Sequence, residues 1–292
     1  MTLGPVAVVG LGRMGAAMAG TLHRAGFELI VYNRTRSTAD AVAEATDAVV
    51  AATPCQAAAE AQVVLSSLAD SRAVREVYGG EVGVAAGLGP GKLVLETSTI
   101  DPTVVHEIGE WVDAAGAALV DCPVSGSVSL VEQGALTIMA GGERADVERA
   151  QPVLDALAAR VFHMGSRGAG ATTKLAVNAL VHGINSALSE ALVLAERAGV
   201  ERARAYEVFA AGAGGAPFVA YKRAAFENPE DTPVAFSLDL VAKDLELITG
   251  LGDHVGAPMP VTKASLELTR DAIESGLSDH DMSALAVYLR GA

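Results

Sequence analysis

Cysteine is nearly missing from this sequence. Cys55 and Cys122 are the two present among 292 residues, with no C-x-x-C spacing. That excludes a disulfide framework and a thiolate zinc site, so no metal is expected, and it suits a reducing cytoplasm. Aromatic residues are scarce at 4%, so a core has to be assembled from Ala, Val and Leu. Basic residues are outnumbered, 21 against 35 acidic, for a formal charge of −14. Such a field repels phosphate backbones and argues against nucleic acid or an anionic membrane as partner. No uninterrupted apolar run reaches the ~20 residues that cross a bilayer. No basic stretch followed by an apolar segment opens the sequence, so no signal peptide is expected and the cytoplasm is the expected location.

Against these absences stands a hydrophobic content of 51%, too high for a largely disordered chain. The length suits two packed domains. The first part alternates strand with helix. Strands are expected at 6–9, 28–32, 63–68, 93–97, 118–121, 136–140 and 161–164. Helices are expected between most of them, for example at 13–25, where Met14, Met18 and Leu22 share a stripe, and at 101–115. This order implies a mostly parallel sheet covered on both faces. After about Ser166 the pattern changes. A proline-free stretch, 170–198, predicts one long helix, and shorter helices follow between breakers at 212–215, 228–233 and 256–260. The fold class expected is α/β: an N-terminal Rossmann-type doubly wound sheet over 1–164, then an all-helical domain over 165–292.

The first strand runs into Gly10-Leu11-Gly12-Arg13-Met14-Gly15. A G-x-G-x-x-G between a strand and a helix is the dinucleotide fingerprint. The first glycine permits the turn, the second lets a pyrophosphate reach the backbone, and the third lets helix and strand pack closely. Free N–H groups at the helix start then face the phosphates. The second strand ends in Tyr32-Asn33-Arg34-Thr35-Arg36, without the carboxylate that usually bonds the ribose of NAD. Asn33 can bond a ribose oxygen, Arg34 can pair with a 2′-phosphate and Thr35 can add a hydroxyl. The expected cofactor is therefore NADP rather than NAD.

Three further segments carry chemistry. Asp121-Cys122-Pro123-Val124-Ser125-Gly126-Ser127 follows a strand, at the sheet edge where open α/β sheets bind ligands. Its N–H groups and hydroxyls suit a carboxylate, although alone it reads as a proline-containing turn. In Gly168-Ala169-Gly170-Ala171-Thr172-Thr173-Lys174-Leu175-Ala176-Val177-Asn178, Lys174 and Asn178 are four apart on one helix face, a polar stripe that Asn185 continues. A lysine in an otherwise apolar helix either serves a site or snorkels to solvent. Lys243-Asp244-Leu245 lies in an expected helix, 237–249, where Asp239 and Lys243 are spaced for an ordinary exposed pair.

Taken in order, these pieces together with Thr97-Ser98-Thr99-Ile100-Asp101-Pro102 resemble the β-hydroxyacid dehydrogenase family over essentially the whole length. That family includes 3-hydroxyisobutyrate dehydrogenase, tartronate semialdehyde reductase and glyoxylate or succinic semialdehyde reductases. The resemblance implies a Rossmann domain joined by a long helix to a helical domain like that of 6-phosphogluconate dehydrogenase, with the active site in the cleft between them. It implies hydride transfer between NADP(H) and a small 3-hydroxy acid or semialdehyde acid. By the same resemblance Lys174 is the catalytic acid and base, and Asn178 positions the lysine and the substrate. Ser125 and Gly126, with Ser127 beside them, bind the substrate carboxylate. Lys243 lies near both nicotinamide and substrate, and Leu68, Ala69 and Thr99 line the cofactor site. It further implies a homodimer or homotetramer. Two positions depart from the family pattern: Ser127 stands where a second glycine is common, and Ala69 where proline is common.

Other members of this fold are less well matched. Decarboxylating 6-phosphogluconate dehydrogenases typically carry His-Asn where this chain has Val177-Asn178, and imine reductases usually replace the lysine. A non-catalytic NADP-binding redox sensor or scaffold would have no need of Lys174, Asn178 and Lys243 together.

Overall fold

The computed structural model describes residues 4–292. They divide into two compact units, one ending at Lys174 and one running from Leu175 to Ala292. The border expected after residue 164 lies instead inside the long helix Ala169–Arg197, after Lys174. The start of that helix is held by the sheet.

The first unit is built on a nine-stranded sheet. Its strands are β1 (Val6–Val9), β2 (Leu29–Tyr32), β3 (Val49–Val50), β4 (Val63–Ser66), β5 (Leu93–Glu96), β6 (Ala118–Asp121), β7 (Val124–Ser125), β8 (Leu136–Gly141) and β9 (Ala158–Gly165). The order is β3-β2-β1-β4-β5-β6-β8-β7, with β9 also on β8. The six strands from β3 to β6 are parallel. Alternation of side chains divides the sheet between two cores. Val6, Val8, Val31 and Leu65 face one side with Met18 and Leu22. Ala7, Val9, Ile30 and Val64 face the other with Val104 and Ile108. Residues apolar on both faces are what a doubly covered parallel sheet requires.

The order reverses between β1 and β4, so their carboxyl ends form the switch point where such sheets bind ligands. Several expected elements are adjusted. β4 stops at Ser66, which frees Ser67 and Leu68 for a loop beside Gly10. β8 runs antiparallel to β6 and β7, so the segment expected as a plain proline turn carries a two-residue strand.

The second unit is helical, as expected. The helix Ala169–Arg197, which begins in the first unit, is followed by Arg202–Ala211, Pro217–Glu227, Leu238–Val255, Pro260–Ala272 and Leu285–Gly291. The breaks after Ala211, Glu227 and Val255 fall at the expected Gly- and Pro-rich breakers, and two more follow Arg197 and Ala272. Leu175, Leu188 and Leu192 of the long helix pack with Tyr206, Phe226, Leu245 and Ile248. That helix, with 29 residues, is long and apolar enough by composition to cross a membrane. Its apolar residues instead supply one side of this helical core.

Candidate active site

Gly10, at φ 90°, turns the chain out of β1. A Cβ there would collide with the Ser67 carbonyl, and one on Gly15 with the Gly10 carbonyl, so both glycines are needed by the fold itself. Gly12 is different. Its backbone, φ −65° and ψ −174°, is open to any residue, and a Cβ there would meet nothing within 4 Å. No internal contact explains that glycine. A ligand approaching the backbone does, because Gly12 is the N-cap of the helix Arg13–Arg24 and its open side leads to the unpaired N–H groups of that helix start. The residues present therefore fit a dinucleotide pyrophosphate.

The rim of this cradle comes from neighbouring strand ends. Asn33 Oδ1 accepts from the Leu11 N–H at 3.1 Å and its Nδ2 donates to the Thr35 carbonyl at 3.2 Å. Its amide thus ties the glycine loop to the end of β2, with one lone pair and one hydrogen still open to a ribose oxygen. Arg34 is exposed and has no ion-pair partner among the described residues, whereas Arg36 is paired with Asp40 at 2.7 Å. Thr35 caps the next helix without using its hydroxyl. Leu68 donates its N–H to Ser98 Oγ at 2.8 Å. Ala69 is exposed and Thr99 half-buried beside them. Arg13 is exposed and Met14 half-buried in the first turn of the helix.

Behind the rim lies a network that sequence reasoning missed. Glu96, at the end of β5, is fully buried and accepts from Ser66 Oγ at 2.6 Å and from the Ser98 N–H at 2.7 Å. Tyr78 Oη lies 2.6 Å from the same Ser66 hydroxyl. Burial pushes the Glu96 carboxyl up, against the pull of its hydrogen bonds. Ser98, held by Glu96, in turn receives the Leu68 N–H. An acidic residue closing an apolar strand, Leu93-Val94-Leu95-Glu96, was the available signal.

The loop that leaves β6 and the start of the lysine helix are joined at one carboxylate. Asp121 ends β6, is 1% exposed, and accepts from the N–H groups of Gly168 and Ala171, both at 2.8 Å. It thus caps the start of the long helix and explains why Ala169–Lys174 belongs with the sheet. Burial pushes Asp121 up to about 6, against those backbone hydrogen bonds. Lys174, half-buried, follows Ala171 by less than one turn. The loop leaving Asp121 reaches Ser125, half-buried, whose hydroxyl makes no hydrogen bond among the described residues, and Gly126, at φ 145°, where a Cβ would strike Leu136. The extra hydroxyl at position 127 is taken up locally: Ser127 Oγ lies 2.9 Å from Ser129 Oγ.

In the second unit Asn178 is buried, and its Nδ2 donates to Asp244 Oδ2 at 2.6 Å. Lys243 Nζ lies 3.1 Å from Asp244 Oδ1. Asp244, 1% exposed, is the residue around which these two expected site residues gather. Asp244 stands inside the Lys243-Asp244-Leu245 motif, whose spacing points only to Lys243. Asn185 does not share this arrangement: its amide donates to the Met282 carbonyl at 3.0 Å.

Residues 5–165 match the family model for the NAD binding domain of 6-phosphogluconate dehydrogenase. Residues 168–289 match that for the NAD-binding domain of NADP-dependent 3-hydroxyisobutyrate dehydrogenase. The chain belongs to the β-hydroxyacid dehydrogenase family. It is 35% identical to glyoxylate/succinic semialdehyde reductase 1 of Arabidopsis thaliana over 280 residues, 96% of each chain. It is 33% identical to an NAD-dependent L-serine dehydrogenase of Pseudomonas aeruginosa over 293 residues, again 96% of each. Among solved structures, 3-hydroxyisobutyrate dehydrogenase of Mycobacterium tuberculosis with L-serine superposes with a TM-score of 0.88 at 29% identity, over 99% of this chain and 100% of that one. As a member of this family, the protein is an NAD(P)-dependent dehydrogenase acting on the CH–OH group of hydroxy acids.

Proposed function

We propose that this enzyme interconverts a small 3-hydroxy acid and its semialdehyde acid with NADP(H), and that Lys174 moves the proton. One observation carries this reading: the Asp121 carboxylate anchors both the loop that presents Ser125 and Gly126 and the helix start that presents Lys174. A carboxylate-binding loop and an amine fixed to one rigid point are what a short hydroxy acid needs for orientation.

The glycine loop would hold the dinucleotide by its pyrophosphate, and the cofactor so bound would supply or take up the hydride. The Ser125 hydroxyl and the Gly126 N–H hold the substrate carboxylate. Lys174 donates a proton to the developing alkoxide in reduction and accepts the hydroxyl proton in oxidation. Asn178, fixed by Asp244, orients the oxygen beside the amine. Lys243 adds positive charge for the acid. Arg34, with no carboxylate beside it, favours the 2′-phosphate of NADP. Short acids are also named in both relatives above, glyoxylate or succinic semialdehyde in one and L-serine in the other. The reading includes a cytoplasmic location and a homo-oligomer; Leu180 and Leu194, 67% and 73% exposed on the long helix, support the oligomer.

The test is steady-state turnover with a panel of semialdehyde acids and 3-hydroxy acids against both cofactors. Lys174→Met is expected to lower kcat by roughly 10²- to 10⁴-fold while NADPH affinity is kept. Arg34→Ala is expected to raise the KM for NADPH and leave that for NADH in place. Undiminished turnover in Lys174→Met refutes the role of the lysine.

A further inference from the structure

The long helix carries one more polar group on the stripe that holds Lys174 and Asn178. His182 is four residues beyond Asn178, so successive members of the stripe are displaced by only about 40° around the helix. It is 3% exposed. Its ring stacks on Phe236, with centroids 6.0 Å apart and planes inclined by 27°. Neither ring nitrogen makes a hydrogen bond among the described residues. Buried polar groups are normally satisfied, and one that is not costs stability. A phenylalanine would fill the same space against Phe236 without that cost, so packing alone gives no reason for an imidazole.

The nearest charged group supplies one. His182 Nε2 lies 3.5 Å from Asp244 Oδ2, the oxygen that accepts from Asn178 Nδ2 at 2.6 Å. Lys243 Nζ stands on the other oxygen, at 3.1 Å. Oδ2 therefore lies between the Asn178 amide and the imidazole. A separation of 3.5 Å is just beyond hydrogen-bonding range, and such contacts at active sites commonly tighten once substrate is bound.

We infer that His182 is a positioning residue for the reaction: it bonds Asp244 in the working complex, and Asp244 so held fixes the amide of Asn178 beside the substrate oxygen. With the imidazole present, one carboxylate oxygen is held by donors from two successive turns of the same helix, and the carboxylate has one orientation. Without it, Asp244 loses one of the groups that hold it, and the Asn178 amide is held less firmly in turn. The inference rests on the roles proposed for Lys174 and Asn178.

Two variants of the full-length enzyme decide it. His182→Phe keeps the ring volume and the stack on Phe236 but removes both nitrogens. His182→Gln loses the stack but returns an N–H within reach of Asp244. The expected result is that His182→Phe lowers kcat by about tenfold with unchanged KM for NADPH and a Tm no lower than that of wild type, and that His182→Gln recovers most of kcat. A purely structural histidine gives the reverse, with Phe fully active and Gln impaired in Tm and kcat together, and that pattern overturns the inference. A readout independent of turnover separates this from the proposed reaction. The Asn178 side-chain amide resonance, assigned through Asn178→Ala, is expected to shift in His182→Phe and to return towards its wild-type position in His182→Gln. An unmoved resonance in His182→Phe sinks the inference even if Lys174 proves catalytic. A moved and rescued resonance sustains it even if the substrate panel fails.

Discussion

Asp121 does two jobs with one side chain, and its chemistry can be followed by pH. It satisfies two of the N–H groups that a helix start leaves unpaired, and it does so from the floor of a sheet edge where water does not reach. Burial is the larger influence on its proton, and the two backbone donors are the smaller. The result is a carboxyl pushed up to about 6. In the unfolded chain the same group titrates near 3.9. Between those values the folded protein keeps a proton that the unfolded chain has released, so stability from this group falls as pH rises through about 4 to 6 and is level above it. The span corresponds to about 2 to 3 kcal/mol. Asp121→Asn has no proton to lose there. Its denaturation midpoint is expected to vary less with pH across that window than the wild type's, measured by urea unfolding at closely spaced pH values. Its kcat is expected to fall as well, because Gly168 and Ala171 donate to different oxygens of Asp121, and the NH2 that replaces one of them cannot accept. An identical pH slope in wild type and variant would remove Asp121 as the source.

At the scale of the strand–loop–helix element, the three glycines of the loop separate by experiment into two kinds. A Cβ on Gly15 collides with the Gly10 carbonyl, whereas one on Gly12 projects into open space. Gly15→Ala is therefore expected to destabilise the fold by about 1–3 kcal/mol, the cost of overpacking, seen as a lower Tm without cofactor. Gly12→Val is expected to leave that Tm alone and raise the Kd for NADPH by about tenfold or more, because the added methyls occupy pyrophosphate space. Equal Tm losses in both would refute the distinction.

This element also shows what a sequence conveys and what it withholds. The glycine spacing, the strand before it and the helix after it are local, so their periodicity and turn chemistry can be read directly. The same holds for the long helix and for the breakers that divide the helical unit. The antiparallel pairing of β8 with β7 could not be read, because a two-residue strand has no periodicity of its own. Nor could the carboxylates that hold the start of the long helix and the Asn178 amide. Asp121 precedes Gly168 by 47 residues and Asp244 follows Asn178 by 66, and nothing in a spacing that long announces a hydrogen bond. Motif reading picked out the candidate site residues. The carboxylates that hold those groups in place needed coordinates.

For the molecule as a whole, an excess of acid sets the background against which any single carboxylate is measured. With a formal charge of −14, lowering the pH first relieves repulsion among surface carboxylates, which favours the folded state. Glu196, near the end of the long helix, works in the opposite direction. Its carboxylate is gripped by Arg290 at 2.6 and 2.8 Å and by Arg202 at 2.6 Å, so it joins three helices of the second unit. The Arg290 bond is the largest influence on it, with Arg202 adding to it against partial burial, and the carboxyl is held down at about 2. A depressed carboxyl contributes its stability in full above the unfolded value, about 4.3, and loses it as pH falls from there towards 2. Solvent screening keeps the amount to about 1–2 kcal/mol. Because the field of the whole chain is common to wild type and variant, their difference isolates this one group. Glu196→Gln is expected to be less stable than wild type by that amount at pH 6 in urea unfolding. The gap is expected to close as pH is lowered from about 4 towards 2, with the two curves converging where the wild-type carboxyl is itself protonated. A gap that stays constant across that range would mean that the two arginines hold the helices by packing alone, with the charge of Glu196 playing no part.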